Sequence, residues 1–320
     1  MHAERRAQVS PVHKPVLQEE LIRFIGPRNE AELMIDATQG EGGHSLLFLS
    51  CFPDLELIGI DADPEIQLIA RERLKEFEGR IQFVSGWAED FFSEYPDSWK
   101  KPDTILIDLG ISLYHYEKSG RGFSFRRDEK LDMRIRPDLG QSAANLIARL
   151  SEKEIADLLF LNGEERFSRR IAREIVKYRQ QCSINSSKML AEIVEQALPP
   201  AYRKLHGATK TFMALRIAVN RELIRLPGLL RAALSILKVG GRMGVISFHS
   251  LEDRIVKNFF REKNRDCICP PEEPICRCEG KRIVNLITKK GISPGDTEIS
   301  LNPPSRSARL RIIEKCLDEV

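Results

Sequence analysis

Asp36-Ala37-Thr38-Gln39-Gly40-Glu41-Gly42-Gly43-His44-Ser45 gathers two carboxylates, three glycines and an imidazole into one short segment. Its glycines permit a tight turn and let a ligand approach the backbone. About twenty residues later comes Asp61-Ala62-Asp63, at the spacing where a carboxylate accepts both hydroxyls of an adenosine ribose. A further acid opens Asp108-Leu109-Gly110-Ile111-Ser112. A dinucleotide fits this set poorly. Its pyrophosphate needs G-x-G-x-x-G at a helix N-terminus, whereas Gly40-x-Gly42-Gly43 lacks the third spaced glycine, and Asp36 and Glu41 would repel it. The same negative charge favours the ammonium and sulfonium of S-adenosylmethionine. Spacing alone also admits a plain turn with solvated acids, and a helix-capping role for Asp108.

These residues need strands to end beside them. Strand-like runs at Leu33–Asp36, 55–60, 81–84 and 104–107 alternate with helix-compatible segments such as 66–77. That rhythm predicts an α/β fold, a doubly wound and mostly parallel sheet. A fifth strand over 242–248 follows a helix over 222–237, and β-rich stretches at 283–288 and 308–313 are placed to pair at the sheet edge. Between the fourth and fifth strands lie more than a hundred residues, beyond any ordinary connection. Within them Leu146, Ile147, Leu150, Ile155, Leu158, Leu159, Ile171, Ile175, Leu190, Ile193 and Val194 recur at helical spacing. The expected division is a core of residues 1–136 and 211–320 with a helical insert over 137–210.

Composition narrows the class without choosing the partner. Of 320 residues, 42% are hydrophobic and 30% charged, enough apolar material for a sizeable core. Fifty Lys and Arg against 47 Asp and Glu leave a net charge of +3, so any basic surface must be local. Neither a signal-peptide run nor an apolar stretch of membrane-spanning length occurs, which predicts a cytoplasmic protein with no membrane partner. Seven cysteines, four of them between Cys267 and Cys278, do not suggest a secreted disulfide framework.

Longer blocks are more specific. His13-Lys14-Pro15-Val16-Leu17, Gly42-Gly43-His44, Arg121-Gly122-Phe123-Ser124-Phe125, Leu131-Asp132-Met133-Arg134, the block from Phe212 to Leu223, Ser247-Phe248-His249-Ser250-Leu251-Glu252-Asp253-Arg254 and Asn302-Pro303-Pro304-Ser305-Arg306-Ser307-Ala308 stand in order along the chain. In these blocks the sequence closely resembles the RsmH (MraW) family of ribosomal RNA small-subunit methyltransferases. The resemblance implies a class I S-adenosylmethionine-dependent (Rossmann-like) core and N4-methylation of a cytidine near the decoding centre of 16S rRNA. It implies cofactor contacts from Gly42, Gly43, His44, Asp61 and Asp108. His115 stands where the family has a cofactor-side glutamine, and the family's aromatic after the third strand falls at Trp87 or Ala88. The implied partner is 16S rRNA or the small ribosomal subunit; oligomeric state is open, a homodimer included.

An exocyclic cytosine amine has its lone pair delocalised into the ring, so an enzyme must orient it and supply acceptors for its hydrogens. Asp108 is the candidate for that task. Attack at cytosine C5 would require a cysteine nucleophile, and neither strand-end segment contains one. Phe123, Phe125 and Phe248 are candidates for holding an unstacked base, and His249 for its edge; core packing and a structural hydrogen bond compete with those roles. Arg166 to Arg170, Arg203-Lys204 and 306–311 could follow an RNA backbone or be solvated faces. Cys267-x-Cys269 and Cys276-x-Cys278 could hold zinc, although one residue within each pair is tighter than usual and reduced thiols are favoured. Two other classes remain: an RNA-binding assembly protein on the same fold, and a nucleotide-dependent oxidoreductase.

Overall fold

The computed structural model describes residues 15–138, 140–200, 202, 207–267, 269 and 280–318. Seven strands form one sheet: β1 Leu33–Asp36, β2 Glu56–Asp61, β3 Ile81–Ser85, β4 Thr104–Asp108, β5 Arg242–Ser247, β6 Val284–Leu286 and β7 Arg309–Lys315. Their order is β3-β2-β1-β4-β5-β7-β6. The first five strands pair in parallel, and β7 runs antiparallel between β5 and β6, so the two late β-rich stretches do pair at the sheet edge. Every residue of β1 is buried, the pattern of a parallel strand covered on both faces.

Strand alternation splits the apolar residues between two layers. Ile35, Ile105 and Ile107 face one core, with Phe92 of α4 (Ala88–Ser93), Leu230 of α11 (Glu222–Ile236) and Phe260 of α12 (Ser250–Lys263). Met34, Leu106 and Ile246 face the other, with Leu21 of α1 (Gln18–Ile25) and Phe48 of α2 (Gly43–Cys51). The helix expected over 66–77 is shorter: α3 spans Pro64–Arg73, starting where the Asp63 side chain caps the Glu65 amide, and Lys75–Arg80 forms a 3-10 turn. Proline at the first helical position suits that start.

The segment between β4 and β5 is helical. After the short α5 (Leu113–Glu117) come α6 (Ala143–Arg149), α7 (Glu152–Gly163), α8 (Ser168–Arg179), α9 (Ser187–Ala197) and α10 (Thr209–Asn220). Ser142, Ser151 and Ser186 cap α6, α7 and α9, Ser151 in a capping box with Glu154. Their shared core contains Ile147, Leu159, Ile171 and Leu190, but also Phe123, Leu131, Met133, Phe212 and Leu215. It is therefore wider than 137–210. The loop before it is stitched on by the Leu131 amide to the Asn185 carbonyl and the Ser187 amide to the Glu129 carbonyl, each 2.9 Å. α10 belongs to this layer and α11 to the sheet, with Arg221 in left-handed conformation (φ 54°) between them. The last helix, α13 (Asp296–Leu301), precedes β7. Among the described residues no helix is long and apolar enough to cross a membrane.

Candidate functional site

Strand order reverses between β1 and β4, and open α/β sheets bind ligands in the crevice beyond such a switch point. Three of the predicted acids close the strands that border it. Asp36 is the last residue of β1, Asp61 of β2 and Asp108 of β4. The first loop joins them. The Gly40 amide donates to Asp61 Oδ2 (2.7 Å), the Ser45 hydroxyl to Asp36 Oδ2 (2.7 Å), and the Asp108 amide to Thr38 Oγ1 (2.7 Å). Gly42 has φ 78° at the N-cap of α2, and a Cβ there would stand 2.9 Å from Leu74 Cδ1. The left-handed conformation is what favours glycine there. Gly43 and His44 then open the helix.

His44 is buried, with its Nε2 3.2 Å from Asp108 Oδ2. Burial opposes its charge, but the carboxylates of Asp108, Asp36 and Glu298 outweigh that and hold the imidazole above its ordinary pKa. Burial pushes the Asp36 carboxyl upward, against the attraction of His44. Among the described residues, the buried Oδ1 atoms of Asp36 and Asp108 have no hydrogen-bond partner. An unmet acceptor in a crevice is where a ligand's donor belongs.

Asp61 is half-buried, and desolvation pushes its carboxyl up to about 6, although the amides of Asp63 (2.8 Å) and Gly40 favour the ionised form. Each oxygen keeps a lone pair for a ribose hydroxyl. Since only the ionised acid accepts on both oxygens, affinity for S-adenosylmethionine is expected to be full above pH 7 and to fall as the pH drops through about 6. Calorimetry of wild type and Asp61→Asn between pH 5 and 8 checks this; an equal slope in both proteins contradicts it.

The remaining predicted residues divide. His115 is buried, its Nε2 3.0 Å from Asp63 Oδ2, and Arg121 donates to the same carboxylate at 2.7 Å. Burial works against the charge on Asp63, but His115 and Arg121 overcome it and hold that carboxyl below its usual range. His115 thus braces the segment following Asp61. Ala88 is buried at the start of α4, whereas the neighbouring Trp87 is half-buried with the Arg225 guanidinium 4.6 Å above its ring. Phe123 corrects an expectation: it is 4% exposed, within the helical-layer core and edge-on to His115 at 5.2 Å, so its face is closed to a base. Phe125 is half-buried, edge-on to Phe212 at 5.2 Å. Phe248 stays half-buried at the crevice, 3.3 Å from where a Gly110 Cβ would lie.

Of the basic clusters, Arg166, Arg169 and Arg170 are exposed, joined along α8 by exposed Arg173 and Lys177. Arg311 is not available to RNA, being held by two bonds to Asp253 at 2.7 and 3.0 Å. Arg203 and Lys204 lie outside the described residues, as do Cys276 and Cys278; Cys267 is exposed and Cys269 half-buried.

Sequence reasoning passed over three residues beside His249. Arg216 donates to Glu222 Oε2 (3.0 Å) and to the Tyr116 hydroxyl (3.1 Å), and Glu252 Oε2 accepts the Phe248 amide (2.9 Å). Arg216 and Glu222 flank the left-handed Arg221, so no helical period marks them as neighbours.

Strand order, a glycine turn and strand-end acids facing one crevice define a class I methyltransferase with S-adenosylmethionine as its cofactor. Residues 10–316 match the model of the MraW methylase family. A ribosomal RNA small subunit methyltransferase H from Treponema denticola is 53% identical over 309 residues, 96% of this chain and 98% of that protein. Its namesake from Treponema pallidum is 41% identical over 350 residues, 95% and 92% of the two chains. The crystal structure of an rRNA methylase from Streptococcus thermophilus aligns with a TM-score of 0.40 and 10% identity, covering 96% of this chain and 100% of that one. The chain belongs to the MraW methylase family, which sets aside the oxidoreductase reading.

Proposed function

We propose that this protein methylates the N4 amine of a cytidine in the decoding centre of 16S rRNA, as the names of its relatives and the chemistry of its crevice together support. The observation that carries the amine assignment is Asp108, whose Oδ1 is buried and unpartnered at the end of β4 while Oδ2 faces His44. Gly42, Gly43, His44 and Asp61 would hold the cofactor, and bound S-adenosylmethionine would supply an electrophilic methyl group. Asp108 accepts an N–H of the amine and fixes its orientation. The negative charge of Asp108 stabilises the positive nitrogen formed as the methyl arrives, and His44, 3.2 Å from Oδ2, fixes that carboxylate in place. The surplus proton of the methylated nitrogen then passes to water, which leaves the neutral N4-methyl amine.

C5 chemistry requires a cysteine nucleophile, and neither Asp108-Leu109-Gly110 nor Phe248-His249-Ser250 contains one. Cys51 closes α2, and Cys316 follows β7, at the edge of the sheet opposite Asp108. The decisive experiment is transfer of label from S-adenosylmethionine to small-subunit RNA or particles, followed by digestion to nucleosides and mass spectrometry. N4-methylcytidine is expected; label in 5-methylcytidine, adenosine or protein rejects the substrate.

The exposed arginines of α8 suit a phosphate backbone. Charge reversal at Arg169 and Arg170 is expected to weaken RNA binding and lower the slope of log affinity against log salt by about two, with cofactor affinity unchanged. A wild-type slope would place the RNA elsewhere.

A further inference from the structure

The donor atoms of Glu222, His249 and Glu252 lie within 4.8 Å of one another, just past the end of β5. Two of these side chains are unsatisfied. Glu222 Oε1 and His249 Nε2 are buried without a hydrogen-bond partner among the described residues, although the His249 side chain is only 10% exposed. The other oxygen of Glu222 and one oxygen of Glu252 are engaged. Arg216 occupies Glu222 Oε2, and the Phe248 amide occupies Glu252 Oε2. His249 Nε2 is 3.1 Å from Glu252 Oε1, yet their alignment does not make a hydrogen bond.

The tautomer decides what the pair can bind. His249 Nδ1 accepts the Glu252 amide at 3.4 Å as the N-cap of α12, so the neutral ring carries its proton on Nε2. A protonated nitrogen does not ligate a metal, which argues against a cation in this trio. Burial pushes the Glu222 carboxyl upward, against the attraction of the Arg216 guanidinium at 3.0 Å. The crevice therefore holds one buried acceptor beside one buried donor.

The pair is placed for the reacting base. Asp108 pairs with Ile246 across β4 and β5, and Phe248 packs against the Gly110 turn. Tyr116, which follows His115 in α5, is tied to the same Arg216.

We infer that Glu222 and His249 read the Watson–Crick edge of the target cytosine, Glu222 Oε1 accepting an N4–H and His249 Nε2–H donating to N3. This rests on the proposed cytidine substrate. Cytosine presents a donor beside an acceptor there, and uracil presents the reverse. An amine has two hydrogens, so Asp108 and Glu222 do not compete. Arg216 and Glu252 are positioning residues: one holds the carboxylate, the other the helix cap beneath the ring.

The test uses synthetic RNA of the methylated site with cytidine, uridine, 3-deazacytidine or 2-pyrimidinone riboside at the target. For wild-type protein 3-deazacytidine and 2-pyrimidinone, which each remove one edge contact, are expected to weaken binding roughly tenfold, and uridine, which reverses both, at least as much. Glu222→Gln, whose amide can present either group, should narrow the cytidine-to-uridine ratio to about threefold or less. His249→Asn, which can still cap α12, should abolish the 3-deazacytidine penalty. Cofactor affinity should not change in either variant. Wild-type affinity for the 3-deazacytidine RNA overturns the donor role, and for the pyrimidinone RNA the acceptor role, whether or not the variants fold. Zinc bound by the wild-type protein and lost in both Glu222→Gln and His249→Asn would make the trio a metal site instead. Absence of any cytidine methylation overturns the proposed substrate itself, whereas methylation with unaltered base preference overturns only the edge reader.

Discussion

Asp61→Ala is expected to weaken S-adenosylmethionine binding by at least about a hundredfold while the protein stays folded. A charged acceptor contributes roughly 1.5 to 3 kcal/mol per hydrogen bond, and two ribose hydroxyls depend on this one. The variant loses more than ribose contacts. Asp61 also accepts the Gly40 and Asp63 amides, so its removal loosens the turn that presents Gly42 and Gly43. Stability should suffer less, because a carboxylate held up to about 6 by desolvation is itself costly to bury. Calorimetry for the cofactor and thermal unfolding without it separate the two effects. Unchanged affinity in a folded variant removes Asp61 from the cofactor site.

Asp108→Asn is expected to cut turnover about a hundredfold or more while cofactor affinity changes by less than about tenfold. Losing one preorganised charge-stabilising contact has effects of that order on kcat. The substitution keeps the shape of the side chain and the amide bond to Thr38. It removes the largest of the charges that hold His44 above its ordinary pKa, so burial is opposed only by Asp36 and Glu298. Titration of His44 by NMR should record the fall. Equal losses in affinity and turnover would make Asp108 a binding residue only.

Much of this site was legible because it lies in continuous segments. Asp36, Asp61 and Asp108 each follow a short apolar run, and an acid there falls at the carboxyl end of a strand whatever the rest of the fold does. The left-handed Gly42 turn was likewise readable from its spacing. Phe123 was not. A phenylalanine beside polar residues reads as a loop aromatic, and only the packing of Leu131 and Met133 against the inserted helices buries it. His115 was located by its neighbours in sequence, but its attachment to Asp63 joins residues 52 apart.

The sequence by itself determined the alternation of strands and helices, the glycine turn with its strand-end acids, and a helical segment between β4 and β5, since these follow from local periodicity and turn chemistry. Only the tertiary structure decided how far that helical layer extends, which basic residues are free, and that Arg216, Glu222, His249 and Glu252 meet. The reason is physical: charges distant in sequence share a buried crevice only when the sheet register and the left-handed link at Arg221 bring three helices together, and burial then decides which atoms remain unpaired.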